Sequence, residues 1–302
     1  MQICKEVVWQ MYVSMKEIVD RAYAGKYGVP AVGANNEMAI RAAIEAAEET
    51  HSPVILISGN RGTYDPIFYG HMVRTLAAQT AVPVAACLDH SPSFEDAILG
   101  IQAGYSAIMV DRSMLPYEEN VAQVKELTRI AHAVGVSVEA ELGHVGQGNN
   151  YAVDGNTALT EPEQARRFIE ETGVDCLAVA IGSAHGAYVG TPKLRFELLQ
   201  QIDAACGIPL VLHGGSGTGD ENIHRACALG ICKVNIVNDL MQASVRALNE
   251  ADLTGNGAYQ LFPTIFNAYK AHIKHCFDVT GCTGKAWNLL PTYKGKAIDL
   301  SE

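Results

Sequence analysis

Eight short apolar runs, separated by amphipathic segments, constrain the fold of this chain more than any other feature. They lie near Val29 to Ala34, Val54 to Ser58, Val82 to Leu88, Ala107 to Val110, Val136 to Glu141, Cys176 to Ile181, Ile208 to Leu212 and Lys233 to Val237. A short continuous apolar run is the pattern of a strand covered on both faces. Between the runs, Glu37 to Thr50 carries Ala39, Ala42, Ala43, Ala46 and Ala47 at helical spacing, and Glu118 to Val134 carries Val121, Val124, Leu127 and Ile130. Eight strands each followed by a helix predict an α/β fold closed as a (β/α)8 TIM barrel, in preference to a doubly wound open sheet.

No Pro/Ser-rich linker divides the chain, and its 302 residues, 48% hydrophobic, suffice for one barrel domain over residues 1–302. Met1 to Tyr12 precede the first barrel helix and read as an N-terminal extension. After the eighth strand, Leu240 to Ala251 and Phe262 to Phe277 read as helices joined by a Gly-rich stretch, Leu253 to Ala258. They form a C-terminal helical appendage over residues 240–285, with a loose tail after Gly281. Extra helices on a barrel commonly pack against a second subunit, so a homodimer or higher homo-oligomer is expected. The net charge of -11 argues against a nucleic-acid partner, which needs clustered Lys and Arg. Eight scattered cysteines, Cys87 and Cys176 inside apolar runs, read as reduced packed thiols. With no long apolar stretch for a signal peptide or membrane span, the cytoplasm is the expected compartment.

In a barrel the reacting groups sit where strands end. Those positions hold Ser58, Asp89, His90, Asp111, Glu141, His185, Gly186, His213 to Gly217 and Asn235. A single histidine beside an apolar run is usually packed or on the surface. Three at equivalent strand ends, His90, His185 and His213, instead point to a catalytic metal site with three protein ligands and an open fourth position. Of the other seven, His51, His71, His132, His224, His272 and His275 fall in or beside helical segments and His144 lies in a loop, where a structural role suits them. Asp89 reads either as a general base or as a partner of the site and helix cap. Asp111 and Glu141 read as ligands of a second cation, as groups orienting the first, or as structural ion pairs. Gly214-Gly-Ser-Gly217 can form a concavity of N–H groups suited to phosphate. Lys233 is a candidate Schiff-base nucleophile.

Taken together, the strings Cys87-Leu-Asp-His90, Val138-Glu-Ala-Glu-Leu-Gly143, Leu177-Ala-Val-Ala-Ile-Gly182 with His185-Gly-Ala-Tyr188, Pro209-Leu-Val-Leu-His-Gly-Gly-Ser-Gly217 and Gly230-Ile-Cys-Lys-Val-Asn-Ile236 resemble the class II, metal-dependent fructose-bisphosphate aldolases and their tagatose-bisphosphate relatives. The matches run in family order from about Met15 to Ala286. The resemblance implies zinc on His90, His185 and His213, with Asp89 transferring the proton and Asp111 and Glu141 lining the metal region. It also implies that Gly186, Gly214, Gly215, Ser216 and Asn235 hold the phosphate of dihydroxyacetone phosphate, with Ser58 and Asn238 as further substrate contacts. A monovalent cation is a second admissible cofactor. The implied reaction is reversible cleavage of a fructose- or tagatose-type ketose 1,6-bisphosphate to dihydroxyacetone phosphate and an aldehyde such as glyceraldehyde 3-phosphate. A ketose 1-phosphate with another distal group, a metal-dependent hydrolase and a non-catalytic metal-binding relative are the alternatives.

The departures bear on the substrate. Asn149 and Asn150 replace the usual acidic pair, Gly33 stands where an asparagine is frequent, and Met241 and Tyr259 occupy positions where relatives carry cationic groups for the far phosphate. Arg61 and Arg112, at the same barrel end, are candidate replacements.

Overall fold

The structure, a computed structural model, describes residues 11–59, 65–147, 159–186, 188 and 190–287. Helix α1 (Met15–Gly25) leads into β1 (Val29–Gly33), α2 (Glu37–Thr50), β2 (Val54–Gly59), α3 (Pro66–Ala77), β3 (Val84–Ser91), α4 (Phe94–Ala103), β4 (Ala107–Val110), α5 (Tyr117–Ala133) and β5 (Ser137–Leu142). There follow β6 (Gly146–Gln147), α6 (Pro162–Thr172), β7 (Cys176–Val179), β8 (Ala184–His185), α7 (Phe196–Cys206), β9 (Leu210–Leu212), α8 (Asp220–Ala228) and β10 (Ile231–Ile236). The chain then forms α9 (Asn238–Glu250), a 3-10 helix (Gly255–Gln260) and α10 (Leu261–Thr280). Strands β1, β10, β9, β7, β5, β4, β3 and β2 close in that order, all parallel, giving the expected (β/α)8 barrel. β6 and β8 form a separate two-stranded pair above it.

The registers show which side chains point inward. Leu88 packs outward on Gly100 of α4, so alternation turns its neighbours Cys87 and Asp89 into the barrel. Pairings carry that face around the ring: Cys87 with Ile57, Glu139 with Met109 and Cys176, Ala178 with Val211, Lys233 with Val211 and Val29, and Asn235 with Ala31. Each strand therefore delivers inward residues two apart, the lower buried in the barrel and the upper reaching its C-terminal mouth. Glu139 lies below Glu141 in this way, and Lys233 below Asn235.

The bottom of the barrel is closed by the segment before β1. Val13 and Met11 exchange backbone hydrogen bonds with Val84, and Tyr12 Oη donates to Gly104 O at 2.8 Å. Helix α1 is capped by Ser14, whose hydroxyl accepts from Glu17 N, and buries Met15, Ile18, Val19 and Ala22 against β1, β3, β5 and β10.

The two C-terminal helices expected as one appendage behave differently. α10 packs on α2, α8 and β1, and Tyr269 Oη donates to Gly33 O, so this helix completes the outer ring. α9 lies against α10 and buries only Leu240 and Ser244. The expected loose tail is pinned through Trp287: Gly284 and Ala286 donate backbone hydrogen bonds to Thr50 and His51, and Trp287 Nε1 donates to Glu17 Oε1 at 3.1 Å. Among the described residues no helix is long and apolar enough to cross a membrane.

Candidate metal centre and active site

β3 breaks its register with β4 between Leu88 and Ser91, and at that irregularity His90 adopts a left-handed backbone, φ 51. A residue with a Cβ held there costs of order 1–3 kcal/mol, which packing elsewhere must offset. The bulge re-aims the imidazole so that Asp89 and His90, consecutive in sequence, both face the mouth. His213 follows β9 directly and is fully buried. His185 is placed by the β6–β8 pair, in register with Gln147.

The three rings converge, their centroids 4.8 to 5.4 Å apart, and one nitrogen from each lies within 4.8 Å of the others. Two of the rings are pinned through the second nitrogen. His90 Nδ1 meets Asp111 Oδ2 at 3.0 Å, and His213 Nε2 meets Glu139 Oε1 at 2.8 Å. The backbone of Val145 lies beside the His185 ring. The remaining nitrogens, His90 Nε2, His185 Nε2 and His213 Nδ1, are buried without a hydrogen-bond partner. A buried polar nitrogen left unpaired costs about 1–3 kcal/mol, and three facing one point describe a cation cradle. A carboxylate or carbonyl on the far nitrogen of a ligating histidine is what fixes its tautomer, so the donor set fits a divalent ion of zinc type.

Four carboxylates surround this cradle. Burial pushes Asp89 up, but His90, Lys233, His213 and His185 together hold it below the ordinary aspartate range, so it stands ionised. Asn235 Nδ2 donates to its Oδ1 at 3.1 Å. Asp111 is also held low, because His90 and the Ser113 N–H and hydroxyl outweigh burial. With both its oxygens engaged, it orients His90. Glu141 Oε1 accepts from Val145 N at 3.0 Å, while Oε2, unpaired, lies 3.5 Å from His213 Nδ1. Burial raises its pKa. Glu139, fully buried, is held low against desolvation by Lys233 and His213.

Lys233 does not suit the nucleophile's role. Its ammonium is fully buried and lies 2.8 Å from Glu139 Oε2. Although burial lowers its pKa, Glu139, Cys87 and Asp89 raise it well above the ordinary lysine range, so the nitrogen keeps its proton.

The glycine loop after His213 is shaped for close backbone approach. Gly214 has φ 67, and a Cβ there would overlap the carbonyl oxygen of Ala184. Gly215 N donates to Asn235 O, and Ser216 Oγ accepts from Val237 N and Asp239 N at the start of α9. Gly217 N donates to the carboxylate of Asp239 at 2.9 Å, so that N–H already serves an anion. Gly186 is exposed at φ 84 beside His185, and Asn238 opens α9.

Two expected substrate contacts fall elsewhere. Ser58 pairs in register with outward-packing Leu88, so its side chain enters the layer between barrel and helices rather than the mouth. Arg112 is buried, and its guanidinium donates to Ser91 O, Asp111 O and Gln123 Oε1 at 2.6 to 2.7 Å. It ties β3 to α5 instead of meeting a distal group. Tyr259 is 82% exposed on the 3-10 helix. Arg61, Asn149 and Asn150 lie outside the described residues. Two groups that the sequence reading left out of the site belong to it. Glu139 is marked only by standing two residues before Glu141, and His144, 3.7 Å from Glu141 Oε1 and 3.2 Å from Ser113 Oγ, carries no signal beyond its loop position.

An Arg112→Ala variant is expected to be destabilised by about 1.5–3 kcal/mol, the range for hydrogen bonds to a charged group, with unchanged KM for a ketose bisphosphate. Thermal melts and steady-state kinetics check this; a raised KM at unchanged stability would return Arg112 to the substrate.

The sequence profile of the family described as fructose-bisphosphate aldolase class-II matches residues 13–285. A D-tagatose-1,6-bisphosphate aldolase subunit, GatY, from Klebsiella oxytoca is 39% identical over 281 residues, covering 90% of this chain and 99% of that protein. Among solved structures, the YdjI aldolase of Escherichia coli K12 superposes with a TM-score of 0.81 at 34% identity, covering 92% of this chain and 100% of that one. A fructose-bisphosphate aldolase from Campylobacter jejuni superposes at 0.78 with 25% identity, covering 94% and 99%.

Proposed function

The chain belongs to the class II fructose-bisphosphate aldolase family, and from that premise we propose that it is a zinc-dependent aldolase reversibly cleaving a ketose 1,6-bisphosphate to dihydroxyacetone phosphate and an aldehyde. The observation that carries the reading is the set of three buried, unpartnered imidazole nitrogens facing one point beside an ionised Asp89. A divalent ion held by His90, His185 and His213 supplies Lewis acidity to the oxygens of the ketone fragment when bound.

The chain's own residues supply the rest. Asp89 accepts the proton of the hydroxyl on the carbon that becomes the aldehyde; the carbon-carbon bond next to it then breaks, its electron pair remains on the ketone fragment, and that carbon takes up one proton before dihydroxyacetone phosphate leaves, balancing the one Asp89 accepted. In condensation Asp89 returns that proton. Asp111 and Glu139 hold His90 and His213 with one nitrogen bare. Gly186, Gly214, Gly215, Ser216 and Asn238, at the mouth and the start of α9, form the site for the phosphate of the ketone fragment, whereas Asn235, expected among them, has its amide held between Lys233 and Asp89.

The tagatose-bisphosphate activity in the name of the Klebsiella relative supports a bisphosphate substrate. The neutral Met241 and Tyr259, together with the internal role of Arg112, favour tolerance of a substrate without the distal phosphate. A charge-assisted contact is worth roughly 1.5–3 kcal/mol, so the lack of one weakens a bisphosphate by about ten- to a hundredfold. Release of dihydroxyacetone phosphate from fructose 1,6-bisphosphate, tagatose 1,6-bisphosphate and fructose 1-phosphate, measured with zinc present, tests both points. Release from none of them by zinc-loaded enzyme would reject the function. A strong bisphosphate preference would reject the distal-site argument.

The apolar side chains exposed on α9, the 3-10 helix and the start of α10, namely Met241, Val245, Tyr259 and Phe262, support a homodimer or higher homo-oligomer built on this face.

Metal loading is expected to depend on pH through His90. Burial lowers its pKa, but Asp111, Asp89 and Glu141 outweigh it and raise it to about 9 in the protein without metal. His185 is driven down to about 4 by burial and by the other two imidazoles, so it needs no deprotonation. The metal must displace a proton from His90 below about 9, so apparent affinity should rise about tenfold per pH unit from neutrality toward that value and then level. Competition with a chromophoric chelator across that range measures it; a flat profile would contradict the assignment.

A further inference from the structure

We infer that Lys233 is a positioning residue for both halves of the site, holding the ligand His213 through Glu139 and the proton acceptor Asp89 through Asn235. The inference rests on the metal-site reading above and deepens it. Lys233, Glu139 and His213 have no exposed surface. The ammonium lies 2.8 Å from Glu139 Oε2 and donates to Asn235 Oδ1 at 2.7 Å. From there two arms diverge. Glu139 Oε1 accepts from His213 Nε2 at 2.8 Å, and Asn235 Nδ2 donates to Asp89 Oδ1 at 3.1 Å.

Each arm resolves an ambiguity that the end groups leave open. Imidazole has two tautomers, and a carboxylate on Nε2 demands the proton there, which bares Nδ1 toward the cradle. A side-chain amide can present either end. Because the ammonium donates and cannot accept, it fixes the carbonyl end of Asn235 toward itself and turns the NH2 end toward Asp89. Without the lysine the amide is free to turn its oxygen on the aspartate and repel it. The arms meet in the barrel because β5 and β10 lie three strands apart in the ring and each turns its lower charged residue inward. One cation thus couples the metal ligand to the acid-base group, a direct route by which the two halves of the site keep their mutual geometry.

Two variants separate the arms. Replacing a buried ion pair with apolar residues of similar size is often neutral or stabilising, so Lys233→Met/Glu139→Met is expected to fold. It should bind zinc about 10- to 100-fold more weakly, the range for loss of an outer partner of a ligand. At saturating zinc its kcat should be at least about tenfold lower with little change in KM, the pattern of a mispositioned proton acceptor rather than lost binding. Lys233→Met/Glu139→Gln keeps an oxygen for His213 Nε2 but not the hold on Asn235, so it should recover zinc affinity while kcat stays low. A role in stability alone would move the melting temperature and neither of these.

Parental kcat in both folded variants, or the same zinc affinity with Gln as with Met, would overturn the inference. A third measurement needs no variant: histidine nitrogen spectra of the zinc-free parent should show His213 protonated on Nε2, and the Nδ1–H tautomer would overturn it as well. Zinc affinity is read without substrate, and failure of the lysine arms would leave the parent binding zinc and cleaving substrate. Failure of the underlying site reading would instead appear as a parent that binds no zinc.

Discussion

Asp89→Asn is expected to bind zinc and substrate as the parent does and to turn over about two to four powers of ten more slowly, the span of general acid-base catalysis. The substitution is nearly isosteric, and the new amide oxygen can still accept from Asn235, whose NH2 group lies 3.1 Å from Asp89 Oδ1. What is lost is the negative charge that Lys233 and the neighbouring imidazoles hold on Asp89 against burial. The loss should therefore fall on kcat and leave KM in place. Pre-steady-state cleavage with metal content measured on the same samples checks it. Parental turnover would remove Asp89 from the chemistry, and a loss that tracks missing zinc would make it a support of the metal instead.

His213→Ala should lower zinc affinity by more than about a hundredfold, beyond the upper range for losing only an outer partner of a ligand. It removes the fully buried member of the triad, whose Nδ1 faces the cradle, and leaves Glu139 with Lys233 as its remaining partner. The barrel should persist, because that ion pair and the surrounding strands do not depend on the imidazole. Metal analysis after dialysis against a weak chelator, with circular dichroism as the folding control, gives the result. Full occupancy in a folded variant would mean that the ion sits elsewhere, with the second cluster of His90, Asp111 and Glu141 the next position to examine.

The barrel was legible because eight buried strands must be apolar on both faces, and all eight runs fall on strands, Ala107–Val110 to the residue. The same continuity hid which way each side chain points. In Val54 to Ile57 every residue is apolar, so nothing phases the alternation, and Ser58 at the strand's end turns to the helices. Arg112 follows Asp111 by one residue and turns toward the helix layer, to backbone carbonyls and Gln123, instead of the mouth. The three histidines were legible as a set because each closely follows an apolar run, although His185 stands beyond the end of β7 on the separate β6–β8 pair and nothing in the sequence announces the left-handed turn that aims His90. Glu139 and Lys233 went unread as partners: a charge inside a strand run gives no sign of its counterion three strands away in the ring. Their spacing, two residues before Glu141 and Asn235, was the available clue. Helical periodicity likewise placed α9 and α10 but could not tell which of them completes the ring, since that depends on contacts with α2 and β1.

The most direct test titrates zinc into chelator-stripped enzyme and follows cleavage of a ketose 1,6-bisphosphate against zinc bound per chain. The three-histidine site predicts no cleavage without zinc, a rate rising in proportion to occupancy, and a plateau at about one zinc per chain, the stoichiometry of a single open tetrahedral site. Full cleavage by the stripped enzyme, or a rate indifferent to the zinc it binds, would contradict it.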